Sequence, residues 1–165
     1  MRVDDSEIGV QDRLQGHTRQ SLPEEAGDFI VRRADGLIAY QLAVVVDDGE
    51  QQISHIVRGA DLLDSTPRQI YLQRLLGLPT PDYLHLPVAV NGAGEKLAKQ
   101  TRAREVSPAH AGRILRDVLR FLHQELPESA DDAAPEELLQ WATAHWDVRS
   151  LPSGRALPSP VHYTD

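Results

Sequence analysis

The chain contains no cysteine, which excludes a disulfide framework, a thiolate zinc site and a cysteine nucleophile within it. No apolar run approaches the roughly 20 residues that span a bilayer. Met1-Arg2-Val3-Asp4-Asp5 lacks the apolar core of a secretory signal. Positive charge is scarce too: 17 Lys and Arg stand against 25 Asp and Glu, a formal net charge of −8, which argues against indiscriminate binding to nucleic acid. The Walker glycine loop and the GxGxxG fingerprint are both missing. What is present is ordinary for a soluble domain. With 165 residues, 41% of them hydrophobic and 25% charged, the chain is long enough for one domain with a real core, and a cytoplasmic setting is the expectation.

The charge is unevenly spread. From Lys96 to Arg120 there are seven basic residues (Lys96, Lys99, Arg102, Arg104, Arg113, Arg116, Arg120) and two acidic ones, Glu105 and Asp117. Such a stripe either faces a polyanion or is a solvated helix face. Arg113, Arg116 and Arg120 have helical spacing and read as solvent-exposed. Lys96-Leu97-Ala98-Lys99-Gln100 follows the apolar stretch Leu84 to Val90 and suits a polyphosphate, because an ammonium on a flexible stem follows phosphate oxygens. On an isolated loop the same two lysines are ordinary solvated charges.

Along the chain, residues 1–27 are polar with few apolar anchors and read as a loosely packed opening segment. Asp28 to Arg33 is a strand candidate closed by Ala34-Asp35-Gly36. Leu37 to Val46 reads as a buried strand by propensity, although periodicity does not separate it from a buried helix. Gln52 to Arg58 is a further strand. Thr66-Pro67-Arg68-Gln69 signals a capped helix start, with Ile70, Leu72, Leu75 and Leu76 in the helix and Gly77 at its end. A strand around Tyr83 to Val90 completes a βαβ unit with a parallel pairing. Ser107-Pro108 opens a helix with Ile114, Leu115, Val118, Leu119 and Leu122 on one face. Pro135 opens another, with Leu138, Leu139, Trp141 and Ala142 buried. Residues 149–165 read as an extended tail. His55 and His85 read as structural, and Asp47-Asp48 diverge too far to share a metal.

The order of motifs is more specific than any one of them. Ala39 to Asp48 is followed by His55-Ile56-Val57-Arg58-Gly59-Ala60-Asp61, then Asp64-Ser65-Thr66-Pro67-Arg68-Gln69, then His85-Leu86-Pro87 and Lys96 to Gln100. From about Gly27 to Gln100 this resembles the second half of the catalytic domain of class I glutamyl-tRNA synthetases. Within that family it is most similar to the short glutamyl-queuosine tRNA(Asp) synthetase group, which lacks an anticodon-binding domain. The fold this implies is α/β: the second half of a Rossmann-type catalytic domain (residues 28–105, with a KMSKS-like loop), then a small helical, stem-contacting region (106–148). It also implies that Gln41 to Gly49 is helical.

By resemblance, Lys99 is the ATP-phosphate ligand and Lys96 a supporting charge, with Ala98 where the family has serine. Tyr40 and Arg58 match glutamate-contacting positions, and an arginine fork suits a carboxylate. Asp61 and Leu62 lie near the nucleotide in relatives, and Val88 and Ala89 near adenine. The implied substrates are ATP with magnesium, L-glutamate and queuosine-bearing tRNA(Asp), with no membrane partner and a monomeric full-length enzyme. The family's HIGH-type motif and zinc cluster belong to an N-terminal half with no counterpart here. The start at Met1 therefore reads as a truncation or internal start, and the isolated chain as poorly active. A fragment of an enzyme charging tRNA(Glu), or a non-catalytic binding remnant, are the other readings.

Overall fold

The computed structural model describes residues 1–160 apart from 102 and 104. It forms two compact units, Met1–His85 and Leu86–Asp165. In the first, β1 (Glu7–Asp12) and β2 (Gly16–Ser21) form an antiparallel hairpin, in register from Glu7 opposite Ser21 to Asp12 opposite Gly16. Helix α1 (Tyr40–Glu50), strand β3 (His55–Gly59), helix α2 (Thr66–Leu76) and strand β4 (Asp82–Leu86) follow. The sheet order is β2-β1-β4-β3, and β1 runs parallel to β4 with Asp12 opposite Tyr83.

The opening segment is not loosely packed. Successive side chains of a strand point to opposite faces, so three inward positions suffice to anchor β1. Ile8, Val10 and Asp12 are 0%, 1% and 2% exposed. Ile8, Val10 and Leu22 then form one core with Ile70, Tyr71 and Tyr83. A count of apolar residues underestimates such a strand because half of its side chains face water.

Other expectations change as well. Residues 28–33 contain no strand: the stretch closes a single bridge, Arg32 to Ile38, around Gly36 at φ 87°, and leaves Ile30 67% exposed. Leu37 to Val46 is not a strand; its greater part lies in α1, as the family resemblance implies. Packing of α1 on α2 overrides the β propensity of Val44, Val45 and Val46. The strand expected from Gln52 begins at His55, because Gln52 itself takes φ 56° in the turn.

No side-chain cap forms at Thr66. A 3-10 turn over Ala60–Ser65 runs directly into α2, and the Thr66 hydroxyl faces Arg58 instead. Gly77 ends the helix at φ 67°, as read from sequence. Leu75 and Leu76 are about half exposed, and Gln69 and Gln73 take buried positions in their place. The long strand expected over Tyr83 to Val90 is interrupted at Pro87, which has no N–H to donate to a ladder.

In the second unit, β5 (Val88–Val90) pairs in parallel with β6 (Ala156–Pro158). The tail is thus extended but hydrogen-bonded, and Leu151 and Pro152 before it are buried; residues 161–165 lie outside the described residues. Helices α3 (Ala111–Phe121) and α4 (Pro135–His145) pack together. A 3-10 turn over Pro108–His110 precedes α3, and Ser107 makes no side-chain cap. Leu119 and Leu138 are buried, whereas Val118 and Leu139, expected inside, are 45% and 54% exposed. Arg113, Arg120 and half-buried Arg116 approach Asp117, Asp131 and the Ala130 carbonyl respectively.

The hairpin's place in the core sets a stability test. Ile8→Ala should cost about 2–5 kcal/mol by urea unfolding, and Ile30→Ala about 0.5 kcal/mol or less. Equal effects would refute the core assignment.

Candidate functional site

The first unit gathers a polar cluster where β1, β3 and β4 meet the first turns of α1 and α2. Asp12 ends β1. Its Oδ1 accepts the backbone N–H groups of Leu14 and Gln15 at 2.9 and 2.7 Å, which closes the turn into Gly16. The His85 backbone N–H reaches both carboxylate oxygens, at 3.3 and 3.1 Å. The Nδ1 of His85 lies 2.6 Å from Asp12 Oδ2, and both side chains are fully buried.

The other ring nitrogen fixes the proton. Arg58 donates its Nε–H to His85 Nε2 at 3.0 Å. A guanidinium has no acceptor, so Nε2 carries the lone pair and Nδ1–H donates to Asp12. The imidazole is neutral, with Asp12 at one end and the Arg58 cation at the other. Burial and the Arg58 charge hold the His85 pKa below its ordinary value, against the pull of Asp12. For Asp12, burial works against ionisation. The donors from Gln15, the His85 ring, Leu14 and the His85 backbone outweigh it, and its pKa falls.

The same one-way logic orients the amides. Arg58 donates from Nη2 to Thr66 Oγ1 at 2.9 Å and to Gln69 Oε1 at 2.7 Å. Gln69 Nε2 must then donate to Gln41 Oε1 at 2.9 Å, and Gln41 Nε2 to Ser65 Oγ at 3.0 Å. The guanidinium carbon sits 5.5 Å from the centre of the Tyr83 ring, within cation–π range. Tyr83 in turn accepts from Gln73 Nε2 at 3.0 Å, and burial raises its pKa. Nε and both protons of Nη2 are engaged. Among the described residues Nη1 has no hydrogen bond, so this half-buried cation keeps two N–H groups unengaged.

Of the residues singled out from sequence, Tyr40 begins α1 beside Gln41 and is 51% exposed. Asp61 and Leu62 lie in the turn after Arg58, and the Leu62 carbonyl is 3.3 Å from the Thr66 hydroxyl. The remaining four belong to the second unit. Ala89 accepts the Leu97 N–H at 2.9 Å, and Val90 bridges Lys96 in antiparallel sense, so Val88 and Ala89 share one β-arm with the lysine loop. Asn91 ties its turn by accepting the N–H groups of Ala93 and Glu95 at 3.0 and 2.9 Å. Beyond it, Thr101 Oγ1 accepts the Ala98 N–H at 2.9 Å and lies 2.9 Å from the Lys96 carbonyl. A threonine hydroxyl therefore ties the loop at Ala98, where the family serine is absent. Lys96 and Lys99 are both exposed. Arg102 and Arg104 of the basic stripe lie outside the described residues.

Residues 1–114 match the catalytic-domain model of the class I tRNA synthetases (E and Q). The chain belongs to this family. It is 51% identical over 161 residues to a glutamyl-Q tRNA(Asp) synthetase of Thiobacillus denitrificans, covering 98% of this chain and 54% of that protein. With a protein of the same name from Dechloromonas aromatica it shares 55% over 152 residues, covering 92% and 50%. The chain thus spans about half the length of the curated relatives it matches. A glutamate-tRNA synthetase structure from Elizabethkingia anophelis superposes with a TM-score of 0.69 at 19% identity, covering 98% of this chain and 36% of that one. That likeness shows the class I catalytic fold.

Family motifs led to Arg58 and the lysines, and they contained Gln41, Thr66, Gln69 and His85 without assigning them a place at the site; Asp12 lay outside them. The available signals were weak: Asp12 shares strand parity with Ile8 and Val10, and His85 is a polar residue between two leucines. Among the described residues no group of three or more His, Asp or Glu could hold a metal ion, and no helix is long and apolar enough to cross a membrane.

A pH dependence follows with a definite sign. The lowered folded-state pKa of His85 means the unfolded chain takes up its proton first as pH falls. This contribution to stability is complete above the unfolded value of about 6.5 and is lost as pH drops toward the folded value. Urea midpoints should therefore decline below about pH 6.5, and less steeply in His85→Gln. Coincident slopes would contradict the neutral buried imidazole.

Proposed function

We propose that the chain is part of a cytoplasmic enzyme that activates L-glutamate with ATP and transfers it to queuosine in tRNA(Asp). The observation that carries the reading is Arg58: a cation fixed by His85, Thr66 and Gln69, with Nη1 left for a carboxylate. The motif order and the names of relatives at 51–55% identity support glutamate and the queuosine acceptor.

In the activation step a carboxylate oxygen of glutamate attacks the α-phosphorus of ATP, and the bond to the departing pyrophosphate breaks. Arg58 and Tyr40 would hold glutamate. Asp61, Leu62, Val88 and Ala89 would lie along the nucleotide. Lys99, supported by Lys96, would meet charge that grows on the phosphates, where a placed cation is most effective. Magnesium would arrive on the ATP phosphates.

The test is glutamate-dependent ATP–pyrophosphate exchange without tRNA, on the 165-residue chain and on a full-length relative carrying the same substitutions. Lys99→Ala should lower exchange by about 10²–10³-fold, and Arg58→Lys should raise the glutamate KM. Labelled glutamate should pass to tRNA(Asp) containing queuosine. Transfer to the acceptor end of tRNA(Glu) would overturn the acceptor assignment, and failure of the full-length protein to exchange with glutamate would overturn the reading.

A further inference from the structure

We propose that Asp12 and His85 are positioning residues for the substrate-binding guanidinium: together they form a proton-locked bracket that holds Arg58 with Nη1 unengaged. The inference rests on the glutamate reading of Arg58 but concerns residues that reading does not use.

The lock works by elimination of donors and acceptors. Oδ1 of Asp12 accepts the N–H groups of Leu14 and Gln15 at 2.9 and 2.7 Å, and the His85 backbone N–H reaches Oδ1 at 3.3 Å and Oδ2 at 3.1 Å. Oδ2 faces the His85 ring at 2.6 Å. The carboxylate therefore accepts on both oxygens, the ring donates from Nδ1, and Nε2 is left to accept from Arg58. This sequence of donors is readable in one direction only. A ring rotated or protonated at Nε2 would set N–H against N–H, and Arg58 would lose the acceptor that engages its Nε.

The groups facing the imidazole come from every neighbouring element. Asp12 approaches from β1, Arg58 from β3, the Thr66 hydroxyl from α2 at 3.3 Å, and Tyr83 stacks from the same strand at 5.9 Å. Asp61, in the turn after β3, adds negative charge nearby. Protonation of His85 would put a second positive charge beside Arg58. Glutamate binding should accordingly weaken on the acid side.

Asp12→Asn is the sharp variant. The N–H groups of Leu14 and Gln15 hold the amide oxygen at the Oδ1 position, where the His85 N–H also reaches it, so the amide nitrogen falls at Oδ2 and donates to Nδ1. The ring proton must then move to Nε2, against Arg58. His85→Gln is the rescue, because one amide can donate to Asp12 and accept from Arg58, yet does not titrate. His85→Leu does neither.

Nitrogen-15 spectra of the full chain should show His85 protonated at Nδ1 and bare at Nε2, with a protected Arg58 Nε–H. In folded Asp12→Asn that resonance should lose protection. In glutamate-dependent exchange, Asp12→Asn and His85→Leu should raise the glutamate KM about tenfold or more with smaller changes in kcat. His85→Gln should stay near wild type and lose the acid-side rise in KM. A wild-type ring protonated at Nε2 overturns the proposal, as does an unchanged Arg58 signal in Asp12→Asn. So does an unchanged glutamate KM in a folded His85→Leu. Absence of any glutamate response in the wild type would sink the substrate reading, while the spectra still decide whether the bracket holds Arg58.

Discussion

The bond between Asp12 and His85 organises the first unit. It joins β1 to β4 through side chains that no water reaches, at the position where the two strands pair. Because the ring is neutral, a buried carboxylate and a half-buried guanidinium face each other through an imidazole. Neither charge is bare. Breaking one end of such an arrangement leaves an uncompensated charge in a poor solvent, which typically costs about 3–5 kcal/mol.

The direction of the hydrogen bonds propagates from that pair. Arg58 can only donate, so it fixes the lone pair of His85 and the amide orientation of Gln69, and Gln69 fixes Gln41. The first turn of α1, the first turns of α2 and three strands are therefore tied to one guanidinium. Thr66 illustrates what this displaces. Its hydroxyl was legible in sequence as a helix cap, a local role. In the fold a tertiary partner claims it, and the helix start is supplied by the preceding 3-10 turn.

That contrast explains how much could be read beforehand. The helix over Tyr40 to Glu50 was legible only through the family, since its valines favour strand when taken alone. Gly77 was legible because a left-handed helix end is a local property of one residue. The hairpin was not, because its evidence is parity: Ile8, Val10 and Asp12 matter by which face they share, and half of the strand is polar by necessity. Lys96 and Lys99 were visible as charge, and Arg58 as part of a motif. The supports of the lysine loop, Asn91 and Thr101, each lie 5 residues from Lys96, whereas His85 and Asp12 lie 27 and 46 residues from Arg58. No window of neighbouring residues around Arg58 contains either of the last two.

The energetics also say why such a bracket would be retained. A polar cluster with two fully buried members is seldom the most stable filling for its volume; well-packed apolar side chains are often as good or better. Stability therefore gives little reason to keep Asp12, His85 and Arg58 together. An anion site does. A guanidinium free to reorient must be ordered by each carboxylate that arrives, at a cost of about 0.5–1.5 kcal/mol for each rotamer-rich side chain. One whose Nε and Nη2 are already engaged offers Nη1 in place, with that ordering completed during folding.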